Sequence, residues 1–151
     1  MADLFSGKKL LRKDGKSFKE VADGGSELKG KVVALYFSAH WCPPCRGFTP
    51  ILKDFYDEVK DDDTFEIVFV SFDRSESDLK SYMEECHGDW LAVAFGDAQI
   101  NNLAEKYGVS GIPALLVIKP DGSVITDSAR GDVQGKSKAP SAVVAEWKGK
   151  M

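Results

Sequence analysis

Two cysteines three positions apart, in the run Trp41, Cys42, Pro43, Pro44, Cys45, are the residues best placed to do chemistry. The pair follows an apolar run and stands where a helical pattern begins. A cysteine at a helix start faces backbone amides without helical partners and the positive end of the helix dipole, and both favour thiolate over thiol. Cys42, ahead of the helix, is the expected exposed nucleophile. Cys45, one turn along, is the expected more buried resolving thiol. The chemistry is attack of Cys42 on a disulfide to give a mixed disulfide, which Cys45 then displaces to close an intramolecular bond. A separate thiol or reductase must reopen it. Pro43 and Pro44 suit the first helical turn, where amides have no helical partner, and they restrict the loop. Trp41 offers flat contact area to a protein substrate beside the nucleophile.

The bland alternative for a C-x-x-C pair is half of a zinc site. Zinc takes four ligands, and the remaining candidates, His40, Cys86 and His87, have no zinc-like spacing. The redox reading is favoured, with no metal and no bound cofactor expected.

The elements that must hold the pair can be read from hydrophobic periodicity. Val32 to Ser38 is a continuous apolar, β-branched and aromatic run, which predicts a strand buried on both faces. Phe48, Ile51, Leu52, Phe55 and Val59 then recur at helical spacing, with a kink expected at Pro50. Asp61, Asp62 and Asp63 read as a solvated loop, and Glu66 to Phe72 as a second buried strand, giving a right-handed βαβ unit. Ser75 is an expected N-cap for a helix presenting Leu79, Tyr82, Met83 and Cys86. Another helix is expected from Asp97, with Ile100, Leu103, Ala104 and Tyr107 on one face and Gly108 at its end. Ala114 to Ile118, a turn at Pro120, Asp121 and Gly122, and Ser123 to Thr126 predict a hairpin. A last helix near Pro140 carries Val143, Val144 and Trp147. At the front, Leu10 to Phe18 predicts a short hairpin turning at Lys13 to Lys16. The middle of the chain thus reads β, α, β, α, α, β, β, α, a sheet covered by helices on both faces.

The 151 residues, 43% of them hydrophobic, suffice for one domain over residues 1–151 without disulfide staples. Three cysteines, an odd number, argue against a stapled secreted framework. Twenty basic and 24 acidic side chains give a net charge of −4, which makes nucleic acid an unfavourable partner. No run approaches the length of a membrane span and no signal-like apolar stretch opens the sequence, so a soluble monomer of the cytoplasm, and also of the nucleus, is expected.

Trp41 to Cys45 after a strand, with Gly111, Ile112 and Pro113 before the ALLVI strand, resembles the thioredoxin superfamily. The segments YFSAHWCPPCRGFTPILKDFY, SFDRSESDLKSYM, DWLAVAF and YGVSGIPALLVIKPDGSVIT resemble its tryparedoxin and nucleoredoxin branch, over about Lys31 to Arg130. The resemblance implies an α/β thioredoxin fold, a central mixed β-sheet flanked by helices, here with an N-terminal β-hairpin extension. It implies a cis peptide before Pro113 and a substrate surface of Trp41, Pro43, Pro44, Ile112 and Pro113, with the Ile112 backbone pairing with an extended substrate. Arg130 aligns with a basic residue that meets an acidic thiol cofactor in tryparedoxins. The implied activity is protein-disulfide reduction or electron delivery to a peroxidase.

The sequence departs from the family in three places. Where thioredoxins carry a buried aspartate six residues before the nucleophile, this chain has Tyr36, a poor base at neutral pH. Cys86, His87, Gly88, Asp89 and Trp90 stand where many relatives have Met-Pro-Trp, and Arg74 replaces a common acidic residue. Cys86 reads as a core thiol and His40 as a residue at the rim of the site. A second function class stays open, a non-catalytic binding module whose partner affinity follows the Cys42–Cys45 redox state. A self-sufficient peroxidase is disfavoured, since no separate peroxidatic cysteine is seen.

Overall fold

A computed structural model describes residues 9–14, 17–21, 23–61, 64–119, 122–127, 129–135 and 139–150. The elements are β1 (Leu10–Asp14), β2 (Ser17–Val21), α1 (Gly24–Glu27), β3 (Val32–Ser38), α2 (Pro43–Val59), β4 (Phe65–Ser71), α3 (Glu76–Cys86), β5 (Leu91–Val93), α4 (Gln99–Lys106), β6 (Ala114–Ile118), β7 (Val124–Thr126), α5 (Ala129–Gln134) and α6 (Pro140–Lys148). The strands form one mixed sheet in the order β2-β1-β5-β4-β3-β6-β7.

Every residue of β3 and β4 is buried, as their unbroken apolar runs require. Alternation divides them between two cores. Val32, Ala34, Tyr36, Ile67 and Phe69 join the side chains of α2, α3 and α6. Val33, Leu35, Phe37, Val68 and Val70 face Leu28 and, on α4, Leu103. β3 and β4 pair in parallel with Val32 opposite Phe65, and β6 runs antiparallel along the other edge of β3. The C-terminal end of β3 therefore meets the beginning of β6 and the loop after β4.

The thioredoxin fold read from the sequence is present, including the β1–β2 hairpin, which pairs Leu10 with Val21. Several local expectations change. β4 starts one residue earlier than the apolar run suggested, and the three-residue β5 falls inside a stretch read as a link between two helices. Its pairing with β1 and β4 makes a strand out of residues too few to show periodicity. Short α1 and α5 also went unread. Ile51 is 40% exposed, because the buried stripe of α2 is Cys45, Phe48, Thr49, Leu52, Phe55, Tyr56 and Val59. Ile51 instead lines a cleft of about 650 Å³ with Asp54, Glu58 and Asp132, away from the cysteines.

Other expectations hold. Ser75 caps α3 by accepting the Asp78 N–H at 3.1 Å, and Gly108 follows α4 with φ +63°. Val143, Val144 and Trp147 are the buried residues of α6, with Trp147 against Phe55 and Phe65. The expected turn residues Gly15, Lys16, Pro120 and Asp121, with Asp62 and Asp63 of the acidic loop, lie outside the described residues. Among the described residues no helix is long and apolar enough to cross a membrane.

Candidate active site

Three hydrogen bonds fix the loop that carries the cysteine pair. The Phe72 N–H donates to the Ser38 carbonyl (2.9 Å), the His40 N–H to Asp73 Oδ1 (2.7 Å), and the Trp41 indole N–H to the Phe72 carbonyl (3.1 Å). Asp73 is itself held, accepting from the Ser71 hydroxyl at 2.6 Å. The parallel register that sets Ser38 beside Ser71 thus places the loop after β3 on the loop after β4.

Cys42 is the N-cap of α2, and Pro43 and Pro44 occupy its first turn, as the spacing predicts. The Cys42 sulfur accepts the Cys45 N–H at 3.4 Å, so one of the free amides of the helix start points at it. It also lies 3.9 Å from the carbonyl oxygen of Ile112. The Ile112–Pro113 peptide is cis, as the resemblance implied. Both cysteines are free thiols.

Exposure corrects one expectation. Cys42 is only 5% exposed, against 0% for Cys45, so the order is as read but the nucleophile is not open to solvent. Phe72 and Ile112, from two other loops, pack against the pair and cover it. Burial, with the hydrogen bond to Cys42 next, pushes the Cys45 thiol up to about 11, while the Ser38 hydroxyl and the Ala39 amide pull the other way.

The remaining predicted residues divide into two groups. Trp41 is 48% exposed with the Arg74 guanidinium 5.3 Å from its ring centre, and Pro43 and Pro44 are exposed beside it. Ile112 is half-buried against the cysteine pair, and Pro113 is buried. Arg130 reaches the same place from α5, donating to the Pro113 carbonyl at 3.1 Å and lying over the Phe48 ring. His40 is engaged elsewhere, its Nε2 2.9 Å from Glu85 and its ring stacked on Tyr82. Cys86 is half-buried at the edge of the larger core, and burial and then Glu85 raise its pKa.

Sequence reading missed the polar side chains behind the cysteines. Tyr36 and Thr49 oxygens are 2.5 Å apart, Thr49 and Tyr82 oxygens 2.5 Å, and Ser38 and Tyr82 oxygens 2.6 Å. Thr49 also donates to the Cys45 carbonyl at 2.8 Å. Thr49, a hydroxyl inside a buried helical stripe four residues after Cys45, was the available signal. Beside this group His87 is fully buried, its pKa lowered well below the usual histidine value by burial, and its Nδ1 accepts the Trp90 indole N–H at 3.0 Å.

The family model described as Thioredoxin-like matches residues 30–124. Nucleoredoxin of Bos taurus is 46% identical over 126 residues, which are 82% of this chain and 27% of that protein. The chain thus spans about a quarter of the length of the nucleoredoxins it matches. Tryparedoxin of Trypanosoma brucei brucei is 44% identical over 123 residues, 80% of each chain. Among solved structures, thioredoxin from Wuchereria bancrofti superposes with a TM-score of 0.79 and 55% identity, over 97% of this chain and 98% of that one.

Proposed function

The chain belongs to the thioredoxin-like family, in the branch of the nucleoredoxins and tryparedoxins, and from that membership we propose that it reduces protein disulfides through Cys42 and Cys45. The observation that carries this reading is the Cys42 sulfur at the helix start, accepting the Cys45 N–H and facing the Ile112 carbonyl. A sulfur so placed has a donor to support negative charge and an adjacent backbone edge on which a substrate strand can lie.

Cys42 thiolate attacks one sulfur of a protein disulfide, forming a mixed disulfide and expelling the other sulfur as thiolate. Cys45 then gives up its proton and displaces the Cys42-bound sulfur, which leaves as a thiol after taking up that proton. The substrate gains two electrons and, from Cys45, one proton, the sulfur expelled first taking its proton from water, and the chain ends as the Cys42–Cys45 disulfide. A thiol or a reductase returns the electrons. Trp41, Pro43, Pro44, Ile112 and Pro113 form the contact surface, and Arg130 steadies the Pro113 loop. A peroxidase disulfide is among the substrates this surface suits. The setting is a compartment that keeps thiols reduced, the cytoplasm or nucleus.

The test is turnover of insulin disulfides with dithiothreitol as donor. Cys42→Ser is expected to abolish it, and Cys45→Ser to accumulate a covalent Cys42–substrate complex. Full activity of Cys42→Ser would overturn the assignment.

A further inference from the structure

Two loops flank the cysteine pair. Ile112, its carbonyl oxygen 3.9 Å from the Cys42 sulfur, comes from one, and Phe72 from the other. The Phe72 loop also carries a cation. The Trp41 indole N–H donates to the Phe72 carbonyl at 3.1 Å, and the Arg74 guanidinium lies 5.3 Å from the centre of that same indole. These contacts hold Arg74 against the residue next to the nucleophile, and the side chain stays exposed. A guanidinium on an aromatic face keeps N–H groups at its edge free to take a carboxylate.

The carboxylates of the neighbouring loop and helix are engaged elsewhere. Asp73, 8% exposed, accepts the His40 N–H and the Ser71 hydroxyl. Glu76 pairs with Lys80 at 3.4 Å, and Glu85 lies 2.9 Å from His40. Among the described residues no carboxylate forms an ion pair with Arg74. Of the other cations near the pair, Arg130 is turned to the Pro113 carbonyl and the Phe48 ring, and Arg46 is exposed one residue past Cys45. On a chain of net charge −4, an unpaired cation beside the nucleophile runs against the overall sign and biases which substrates approach it.

We infer that Arg74 is a specificity-determining residue of the disulfide reaction, pairing with a carboxylate of the substrate chain and so favouring protein disulfides flanked by Asp or Glu. The inference rests on the dithiol reading above, with the substrate strand lying along Ile112. In an extended strand the side chains that share a face with the reacting cysteine stand two residues away, about 7 Å along the chain. An acidic side chain at that position faces the same surface as the disulfide, where Trp41 and Arg74 lie beside Cys42. The carboxylate exchanges no electrons, and attack by Cys42, displacement by Cys45 and the movement of protons are as given above.

The test uses three disulfide-linked peptide homodimers, identical except that the residue two positions to either side of the cysteine is Glu, Gln or Lys. Symmetry gives the same products whichever sulfur is attacked. Second-order reduction by the reduced full chain at low salt is followed by acid quench and chromatography of the freed peptide. Each rate is divided by that of the same peptide with dithiothreitol, which offers a thiolate and no guanidinium. The unsubstituted protein is expected to favour the Glu peptide over the Gln peptide about threefold, mid-range for an exposed ion pair, and to disfavour the Lys peptide. Salt at about 0.5 M should flatten this preference. Arg74→Gln should bring the Glu-to-Gln ratio to about one, and Arg74→Glu should invert it. Arg46→Gln removes the same charge nearby without touching the Trp41 stack, and it should keep most of the preference. The proposal is overturned by a ratio of one or less in the unsubstituted protein, by a ratio that Arg74→Gln does not move, or by an equal fall in Arg46→Gln. Failure of the unsubstituted protein to reduce any of the three peptides would overturn the dithiol reading and this proposal with it.

Discussion

The parallel strands β3 and β4 end on two different kinds of buried polar network. At their C-terminal end lie the neutral oxygens of Ser38, Thr49, Tyr36 and Tyr82. Near their N-terminal end Glu66, 4% exposed, accepts from Arg12 at 2.9 Å and from the Tyr56 hydroxyl at 2.9 Å, and Arg12 also donates to Glu27 at 2.8 Å. Burial works against the Arg12 charge, but the two carboxylates outweigh it and raise its pKa. Fixed charges have one donor direction and hold it, which makes that cluster a clamp joining the N-terminal hairpin to β4. Hydroxyls both donate and accept, so they can be joined in a line without any charge. The backbone carbonyl of Cys45 is held by the second kind.

The largest break in this comparison comes from the clamp. Arg12→Ala leaves the Glu66 carboxylate buried with Tyr56 and the Ile67 amide as its remaining donors. The expected loss is about 3 kcal/mol, the lower end for breaking a buried pair, because the guanidinium keeps some contact with water. Urea unfolding measures it, and the Cys42 attack rate on dithiobis-nitrobenzoate should stay as it was. A parallel loss of attack rate would mean that the two networks are coupled through the sheet.

A smaller effect tests whether the hydroxyl end must stay uncharged. His87 is enclosed by the rings of Phe69, Tyr82 and Trp90 and is held neutral by burial. The unfolded chain takes up a proton at this residue below about pH 6.5 and the folded chain does not, so its contribution is present above that pH and is lost as pH falls. The expected slope from this residue is about 1.4 kcal/mol per pH unit, one proton's worth, until the lowered folded value is reached. His87→Gln, which keeps an acceptor for Trp90, should remove that slope from the stability-against-pH curve. An identical slope in the variant would place the proton uptake elsewhere.

Much of this frame was legible in the residues, and what was not shares a physical cause. Val32 to Ser38, Ala114 to Ile118 and the start of α2 announce themselves because burial on both faces, or on one helical face, writes a local pattern. Cys42 was read as exposed because its cover, Phe72 and Ile112, comes from loops 30 and 70 positions away. Ile51 was read as core because a hydrophobic residue at the edge of a helical stripe scores the same whether or not anything packs on it. Tyr36 and Tyr82 were counted as rings, which is how they contribute to periodicity, and the pairing of their hydroxyls through Thr49 exists only once α2 and α3 lie on β3. The Arg12–Glu66 clamp spans 54 positions and leaves no local trace.

The smallest expected effect separates the two tyrosines that both donate to Thr49. Tyr36 donates to Thr49, whose own hydrogen goes to the Cys45 carbonyl, so it stabilises the group without lying between Thr49 and Ser38. Removing its hydroxyl leaves Thr49 with Tyr82 as a partner, and the oxygen lost was a donor to a neutral acceptor. Tyr36→Phe should therefore cost about 1 kcal/mol of stability, the usual worth of one neutral hydrogen bond. It should leave in place the rate at which Cys45 displaces a Cys42-bound sulfur, measured by stopped-flow release of the second coloured thiolate from dithiobis-nitrobenzoate. Tyr82→Phe removes a hydroxyl of the same kind from the same cluster, yet it interrupts the line to Ser38. If the two substitutions slow displacement equally, the cluster acts as packing and the direction of its donors is immaterial. If only Tyr82→Phe does so, the link that Tyr82 makes between Thr49 and Ser38 is what the displacement step depends on.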